Sequence, residues 1–470
     1  MASLAPVEQV WRSDVDASFS TRAIVGAVIG LLWALAVWQS WECRGLFADG
    51  AVFFLDMILN GGLIPDFEEP RTYAITLPRY PALLAMQFGV NDLHWLARLY
   101  SLGLFGLPLA LYSFALVRAI RNPFILAATF AAIATVFMSA SIFIIGEYNI
   151  AYACAVFAAV WLITASGLRA RDGLVLAIVA AVATRCYEHY VYLGPMLALL
   201  TIWVIVRAKA RPWFATTLYG VAAALFLLGG YIAADSLIAM YVSNEQRAYL
   251  KSVLGGARGF YLNLQLDLLL VAAATVVAWG ILRPDDLRRP WLYLAAGLFV
   301  LLAAASPALV FVKGVIEPPY FTPQFASRTI AGLLTAIFVA FVWLHASGHA
   351  ARRRALLIVE EPRVARRLVI LAAAMVVATM PWSIMLTCLY ARYLEVVRIT
   401  IRSQSGPIPI DAAIFERHPR LLNPDIAPST LSVIMRTSPT DGVLFNDERN
   451  PADLLDPTAP PDLGRFAWRD

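Results

Sequence analysis

The chain has 470 residues, of which 60% are hydrophobic and only 15% are charged. With a mean hydropathy of +0.69, this composition excludes an ordinary soluble globular protein and is typical of a polytopic membrane protein. The formal net charge of +5 does not indicate nucleic acid as a partner. The basic residues form short clusters between apolar segments, as they do in multi-pass membrane proteins.

Apolar segments of about the length that crosses the hydrocarbon core of a bilayer recur along most of the chain. They lie near residues 23–41, 96–117, 123–145, 149–167, 172–186, 189–206, 214–234, 264–282, 291–312, 329–346 and 368–390. The fifth segment is short. We therefore predict an all-α polytopic membrane protein with about eleven transmembrane helices.

The connections between these segments alternate in basic charge. One set carries the clusters Arg118 and Arg121; Arg169 and Arg171; Arg207, Lys209 and Arg211; Arg283, Arg288 and Arg289; and Arg352, Arg353, Arg354, Arg363, Arg366 and Arg367. The other set is longer, more acidic and richer in aromatic residues. Because basic loops stay in the cytoplasm, we predict a cytoplasmic N-terminus, a first outer loop at 42–95 and a C-terminus on the outer side.

Hydropathy falls sharply after residue 390, and residues 391–470 are rich in proline and mixed in charge. We therefore divide the chain into a transmembrane bundle over 1–390 and a periplasmic C-terminal tail or small subdomain over 391–470. Short apolar clusters such as LSVIM at 431–435 favour a small subdomain packed on the bundle over a disordered tail.

The first outer loop concentrates carboxylates in a chain that is otherwise poor in charge. Asp49 directly precedes a short apolar run that ends at Gly61, and these residues are favoured at the start and the end of a helix. A helix over 50–60 is too short to span a bilayer, so we expect it to lie in the membrane interface, with Asp56 facing lipid headgroups. Asp49 is then a helix cap, a catalytic group or both.

A carboxylate at the outer membrane boundary has a specific chemical use. A sugar linked to a polyprenyl phosphate presents its anomeric carbon at that depth, and its transfer needs a general base and a cation for the departing phosphate. Asp49 is the candidate base. The cations predicted on the same side are Arg71, Arg79, Arg185, Lys313 and Arg328. Guanidinium groups bind phosphate in a bidentate manner, which makes Arg79 and Arg328 the preferred pair. The alternative is that these arginines are interfacial anchors or partners of the loop's own acids.

Further ionisable residues occur where burial in a membrane protein is costly. Glu147 lies in IIGEYN at the outer end of the third segment, and Glu188 lies in TRCYEHYVYLGP beside Arg185 and His189. Such groups are usually functional or paired. Glu188 and His189 either line a sugar or acceptor pocket, or Glu188 forms a local ion pair with Arg185. We assign no metal ligands, and a divalent metal stays possible.

These patterns together resemble the GT-C superfamily of integral membrane glycosyltransferases. The residues that carry the resemblance are FADGAVF, FFLDMILNG and RTYAITLPRYPALLAMQFG in the first outer loop, with IGEYNIAYA, RCYEHYVYLGPML and PQFASRTIAGLL further along. The resemblance covers residues 20 to 390. It implies a dolichyl- or undecaprenyl-phosphate-linked sugar donor, an inverting transfer, an acceptor on the outer face, and Asp49 as the base.

The chain departs from some branches of that family, because Asp49 is followed by Gly50 and not by a glutamate. This puts a metal requirement and the protein-mannosylating branch in doubt. High alanine and arginine content with very little lysine indicates a GC-rich bacterial gene, which favours undecaprenyl phosphate as the carrier.

The resulting expectation is a glycosyltransferase of the bacterial inner membrane that faces the periplasm and modifies lipopolysaccharide, another envelope glycan or a lipid. One alternative is an O-antigen polymerase or ligase, in which we expect the largest outer loop late in the bundle. The other is a transporter or flippase, in which we expect internal repeats and charged or broken helices near the bilayer midplane.

Overall fold

The computed structural model describes residues 19–62, 69–139, 148–243, 247, 263–312, 321–347, 358–410, 427–445 and 460–469, and every structural statement below concerns these residues. Glu147 and Lys313, both considered above, lie outside them.

Helices dominate the described part of the chain. They are α1 (Phe19–Trp41), α2 (Asp49–Asn60), α3 (Thr72–Thr76), α4 (Tyr80–Gln87), α5 (Leu93–Ala119), α6 (Pro123–Ala132), α7 (Tyr148–Thr164), α8 (Ala170–Ala183), α9 (Tyr190–Arg207), α10 (Trp213–Val242), α11 (Leu264–Leu282), α12 (Pro290–Val312), α13 (Phe321–Ser347), α14 (Pro362–Ser403) and α15 (Ala427–Met435). A π-helical turn, Ile133–Met138, continues α6. Four 3₁₀ turns occur at Arg44–Leu46, Glu69–Arg71, Leu77–Arg79 and Pro284–Arg288. Two short strands, β1 (Pro407–Pro409) and β2 (Val443–Phe445), pair in parallel.

Eight of these helices are long and apolar enough to cross a membrane. The apolar stretches are Ser20–Trp41, Leu93–Ala119, Tyr190–Arg207, Trp213–Val242, Leu264–Leu282, Pro290–Ala308, Arg328–Ser347 and Pro362–Ser403. An all-α, multi-pass membrane protein is what such a set of helices indicates. Two shorter apolar helices, Pro123–Met138 and Tyr148–Thr164, and the 14-residue α8 fall on the other three predicted segments. The count of eleven spans stays a prediction.

Helix α7 lies at the centre of the bundle. All of its residues from Tyr148 to Val160 are buried, and it packs against α5, α8, α9 and α13. A helix that is apolar on every side has no preferred solvent face, so it is surrounded by other helices. Its first turn, at Tyr148, therefore brings aromatic side chains into the interior beside the ends of neighbouring helices.

The bundle has two chemically different ends. At the end that we call the basic end, Arg118 approaches Asp172 and Arg288 pairs with Glu361. At the other, the α2 end, α1 stops, α5 starts, and the Trp41 and Trp95 rings meet edge to face at 5.7 Å. Exposed tryptophans occur at both ends, as Trp41 is 51% and Trp213 is 79% exposed. Such aromatic belts are typical of the two membrane interfaces.

The last long helix extends beyond its predicted end. Helix α14 continues to Ser403, although residues 368–390 were expected to complete the span. Tyr393, Val397 and Ile401 are buried and recur every four residues, so this extension presents one apolar face to the protein. The described C-terminal residues pack on the α2 end, where α15 contacts α2 and the Trp468 ring stacks on His94 at 4.5 Å.

Candidate active site

Helix α2 begins one residue earlier than expected. Asp49 is its first residue, and Ala48 holds the preceding cap position with φ 53° and ψ −126°. Asp49 is therefore not the cap. Its carboxylate lies in the first turn, where the helix dipole favours a negative charge. Gly61 ends the helix with φ 64°, as predicted. A positive φ at alanine is strained by about 1–3 kcal/mol, and such strain clusters at functional sites.

The turn before Asp49 is clamped between two long helices. On one side, the Gly45 amide donates a 3.0 Å hydrogen bond to Ser101 Oγ of α5. On the other side, buried Arg44 donates from Nη1 to Thr387 Oγ1 of α14 at 2.8 Å. A Cβ at Gly50 would lie 1.9 Å from the Gly45 carbonyl oxygen, so only glycine permits this turn to fold so closely. These contacts fix where Asp49 enters α2.

One face of α2 is only partly buried. Asp49, Phe53 and Asp56 are half-buried, whereas Phe54 and Ile58 on the opposite side of the helix are buried. The positions i, i+4 and i+7 lie on one side of a helix, so the two carboxylates and the ring between them share this face. At 1.5 Å rise per residue, the backbones of Asp49 and Asp56 are about 10 Å apart. We call this surface the carboxylate face.

Arg79 lies opposite the carboxylate face. Its guanidinium is 5.7 Å from the centre of the Phe53 ring, and the residue is only 1% exposed. A Cβ at Gly103 would lie 2.0 Å from the Pro78 carbonyl oxygen, so the glycine lets the Leu77–Arg79 turn press against α5 and bury this arginine. Burial lowers the pKa of Arg79, whereas Tyr100 and Asp56 raise it.

The sequence analysis predicted that Asp56 faces lipid headgroups. In the structure this residue is half-buried on the carboxylate face. Burial raises the pKa of the Asp56 carboxyl above its usual range, and the positive charge of Arg79 opposes that rise. The sequence signal that could have identified it is its seven-residue spacing from Asp49, which repeats on the same helix face. Sequence reasoning ranked only the first of these two acids.

A second group of charged and aromatic residues forms where α8, α9 and α13 meet the segment after α2. Arg71 Nε lies 2.5 Å from Glu188 Oε1, and its guanidinium is 5.4 Å from the centre of the Tyr187 ring. An ion pair with Arg185 was one of the two alternatives for Glu188. In the structure its backbone carbonyl accepts a 2.9 Å hydrogen bond from the Tyr73 amide, and the ion pair of Glu188 is made by Arg71.

Arg328 enters the same group from α13. Its Nε donates a hydrogen bond to the Tyr187 hydroxyl, its guanidinium is 5.5 Å from the centre of the Tyr148 ring, and it is 7% exposed. The Tyr152 hydroxyl donates to the Arg328 carbonyl oxygen at 2.9 Å. We call Arg71, Glu188, His189, Arg328 and the tyrosines around them the arginine–tyrosine group.

His189 is part of this group as a neutral ring. It stacks on Tyr187 with ring centres 5.0 Å apart, and its Nδ1 lies 3.3 Å from the Tyr152 hydroxyl. Burial, and then the positive charges of Arg328 and Arg71, lower the pKa of His189 to about 3. At neutral pH this side chain therefore exchanges hydrogen bonds without carrying charge.

The predicted site residues thus fall into two groups. Asp49 and Arg79 belong to the α2 side, and Arg71, Glu188, His189 and Arg328 belong to the arginine–tyrosine group. Arg79 and Arg328, the preferred pair, are in different groups. Helical turns connect Arg71 to Arg79, so at roughly 1.5 Å per residue the backbones of these two arginines are about 12 Å apart along the chain. Within the described residues, no cluster of three His, Cys, Asp or Glu side chains forms a metal site.

No protein-family model, curated protein or solved structure matches this chain.

Proposed function

We propose that this protein is a glycosyltransferase that moves a hexose or pentose from an undecaprenyl-phosphate donor to a cell-envelope glycan, lipopolysaccharide or lipid. The observation that carries the proposal is the carboxylate face of α2. It places Asp49 in the first turn of α2 at one end of the bundle, on the same helix face as Phe53, whose ring lies 5.7 Å from the buried Arg79 guanidinium. This is the chemistry that a lipid-linked donor needs at the membrane boundary.

In the proposed reaction, Asp49 accepts the proton of an acceptor hydroxyl. The hydroxyl oxygen forms a bond to the anomeric carbon while the bond from that carbon to the phosphate oxygen breaks. Undecaprenyl phosphate leaves with the electron pair, and the anomeric configuration inverts. General-base catalysis of this kind contributes about 10²–10⁴-fold to rate.

The arginine–tyrosine group is suited to the departing phosphate. Arg328 and Arg71 supply positive charge in a buried setting, where a charge interacts more strongly than it does in water. Glu188 orients Arg71 through their 2.5 Å contact. Tyrosine hydroxyls around them supply neutral donors. In the proposed reaction the sugar ring lies between this group and Asp49, because inversion requires the base and the leaving group to act on opposite sides of the anomeric carbon.

The donor and the location follow from the same argument. The predicted orientation has the α2 end in the periplasm, where undecaprenyl-phosphate sugars are presented. The exposed Trp41 and its contact with Trp95 support a position of this end at the lipid interface. The acceptor is then another envelope component on the same side of the bacterial inner membrane.

The direct test uses purified protein in lipid nanodiscs with synthetic undecaprenyl-phosphate sugars and an envelope extract as acceptor. The wild type should release undecaprenyl phosphate, and Asp49→Asn should reduce the rate by about 10²-fold or more with unchanged thermal unfolding. Glu395→Gln is the matched control, because Glu395 is an acid on the same end that pairs with Arg398. Full turnover by Asp49→Asn would show that Asp49 is not the base. If the wild type releases undecaprenyl phosphate from none of the donors, the proposed function is wrong.

A further inference from the structure

The carboxylate face holds one more acid than proton transfer requires. Asp56 lies on the same side of α2 as Asp49, two helical turns further on, and is half-buried. In an ordinary surface helix such a residue would be fully exposed. Burial raises the pKa of its carboxyl, so the folded chain holds a carboxylate in a place that disfavours its charge.

Arg79 gives the Asp56 carboxylate its electrostatic support. Asp56 is among the groups that stabilise the charge of the buried Arg79 guanidinium, and Arg79 opposes the rise in the pKa of Asp56. The same guanidinium is 5.7 Å from the centre of the half-buried Phe53 ring, which lies between the two acids along the helix. An acid, an arginine and an aromatic ring therefore meet beside the candidate base.

This combination matches the surface of a sugar. Carboxylate and guanidinium groups hydrogen-bond to hydroxyls with roughly twice the strength of neutral partners, and an aromatic ring packs against the apolar C–H side of a pyranose or furanose. The backbones of Asp49 and Asp56 are about 10 Å apart, and Phe53 lies between them on the same face, so a sugar ring placed over Phe53 has one acid on each side of it.

We infer that Asp56 is a specificity-determining residue that binds a hydroxyl of the transferred sugar, with Phe53 under the ring and Arg79 as the positioning residue for Asp56. The inference rests on the proposed function and names its donor class. The described side chains of this face carry two carboxylates and one guanidinium. The face therefore selects neutral or amino sugars and rejects uronic acids, whose carboxylate would be repelled.

The test compares donors that differ by one hydroxyl. Wild type and Asp56→Asn are assayed with undecaprenyl-phosphate hexosides and pentosides, with their monodeoxy analogues and with a uronosyl donor. For the best donor, removal of one particular hydroxyl should lower kcat/KM of the wild type by roughly 10–100-fold. In Asp56→Asn the same removal should change kcat/KM less than 3-fold, and the uronosyl donor should gain relative to the others.

Two further variants keep the test decisive. Arg79→Lys should weaken discrimination between the parent and deoxy donors and shift the pH profile of KM, because the positive charge beside Asp56 is repositioned. Glu395→Gln, the acid control on the same end, should leave the ratios of kcat/KM between the parent, deoxy and uronosyl donors unchanged. If Asp56→Asn does not fold, Asp56→Glu, which keeps the charge and moves it by one methylene, should reorder the donor preferences.

Two results in a folded Asp56 variant would overturn the inference: an equal loss of kcat/KM on all donors, or an unchanged ratio of kcat/KM between the parent and the deoxy donor. Either result would show that Asp56 and Arg79 are a structural pair. Turnover by the wild type would still support the proposed function. Absence of turnover by the wild type is the separate result that overturns both.

Discussion

The two ends of the bundle use buried charge in different ways. At the basic end, Asp172 has only 2% of its side chain exposed and pairs with Arg118, which is 25% exposed, and the Arg118 guanidinium lies 4.4 Å from the centre of the Trp161 ring. Together these contacts connect α5, α7 and α8. The described backbone at these residues has no positive φ. At the α2 end, the acids of the carboxylate face are half-buried, and the turn leading to them is strained.

The backbone conformation also differs between the two ends of the bundle. In the described part of the chain, the non-glycine residues with positive φ are Cys43 and Ala48, and both precede Asp49 within six positions. Strain persists only where the surrounding structure over-determines it, and here α5 and α14 provide that constraint through Gly45 and Arg44. The comparison indicates that charge at the basic end stabilises the fold, whereas the acids at the α2 end, which we propose to be the catalytic end, follow a strained turn.

The largest expected effect tests the stabilising role of the basic end. Arg118→Gln leaves Asp172 buried without its main cation, and loss of one partner of a buried pair costs about 3 kcal/mol. We expect a clear fall in the apparent Tm in nanodiscs, with unchanged turnover per folded molecule. Arg171→Gln, whose side chain is 72% exposed, is the matched control and should change neither. Loss of turnover in folded Arg118→Gln would contradict the comparison.

Gly50→Ala tests the turn at the α2 end. The new Cβ would meet the Gly45 carbonyl oxygen at 1.9 Å, so the backbone must shift, at a stability loss of about 1–3 kcal/mol. Because Asp49 is adjacent, we expect turnover to fall more steeply than stability does. Gly297→Ala, where no atom lies within 4 Å of the added Cβ, should keep full turnover. Normal activity in Gly50→Ala would show that the turn tolerates displacement.

The pH dependence of stability tests the arginine–tyrosine group. The pKa of His189 falls from 6.5 to about 3 on folding, so between these values the unfolded chain binds a proton that the folded chain does not. The free energy of unfolding should therefore decrease as pH falls below 6.5, by at most about 1.4 kcal/mol per pH unit. His189→Gln should reduce this slope in denaturant unfolding between pH 7 and 4. An identical slope in the variant would mean that His189 is exposed to solvent.

Ala48→Gly should give the smallest change in stability. It separates the cost of the strained backbone at residue 48 from its effect on the position of Asp49. Glycine adopts positive φ without steric penalty, so we expect stability to rise by roughly 1 kcal/mol. Greater freedom at the residue before Asp49 should lower kcat several-fold without changing KM. The converse control is Gly61→Ala, where φ is 64° and stability should fall by about 1 kcal/mol. A more stable Ala48→Gly protein with full kcat would argue against a catalytic use of the strain.

Much of the fold was predictable because a bilayer imposes its own length scale. The segments expected at 189–206 and 264–282 coincide closely with α9 (Tyr190–Arg207) and α11 (Leu264–Leu282). The end of α14 was not predictable in this way. Its extension carries charged Arg392, Glu395 and Arg398 between its buried apolar residues, so its mean hydropathy is low although one face is covered by the protein.

The candidate site was predictable as a set of residue types and not as a set of contacts. The acids of the first loop and the arginines that follow are visible in the sequence, because charge is rare in this chain. Their pairing was not visible: Arg185, three positions away, was one partner considered for Glu188, but Glu188 pairs with Arg71, which is 117 positions away. Helix packing decides such contacts.

What the sequence by itself determined is the class of protein and the place of its charged residues along the chain, since apolar length and basic alternation are properties of local segments. What only the tertiary structure decided is that Arg79 lies against this face, over the Phe53 ring and close enough to Asp56 to affect its pKa, and that Arg328 joins Arg71 in a separate group. Burial and proximity depend on which helices pack together, and residues far apart in the chain set both.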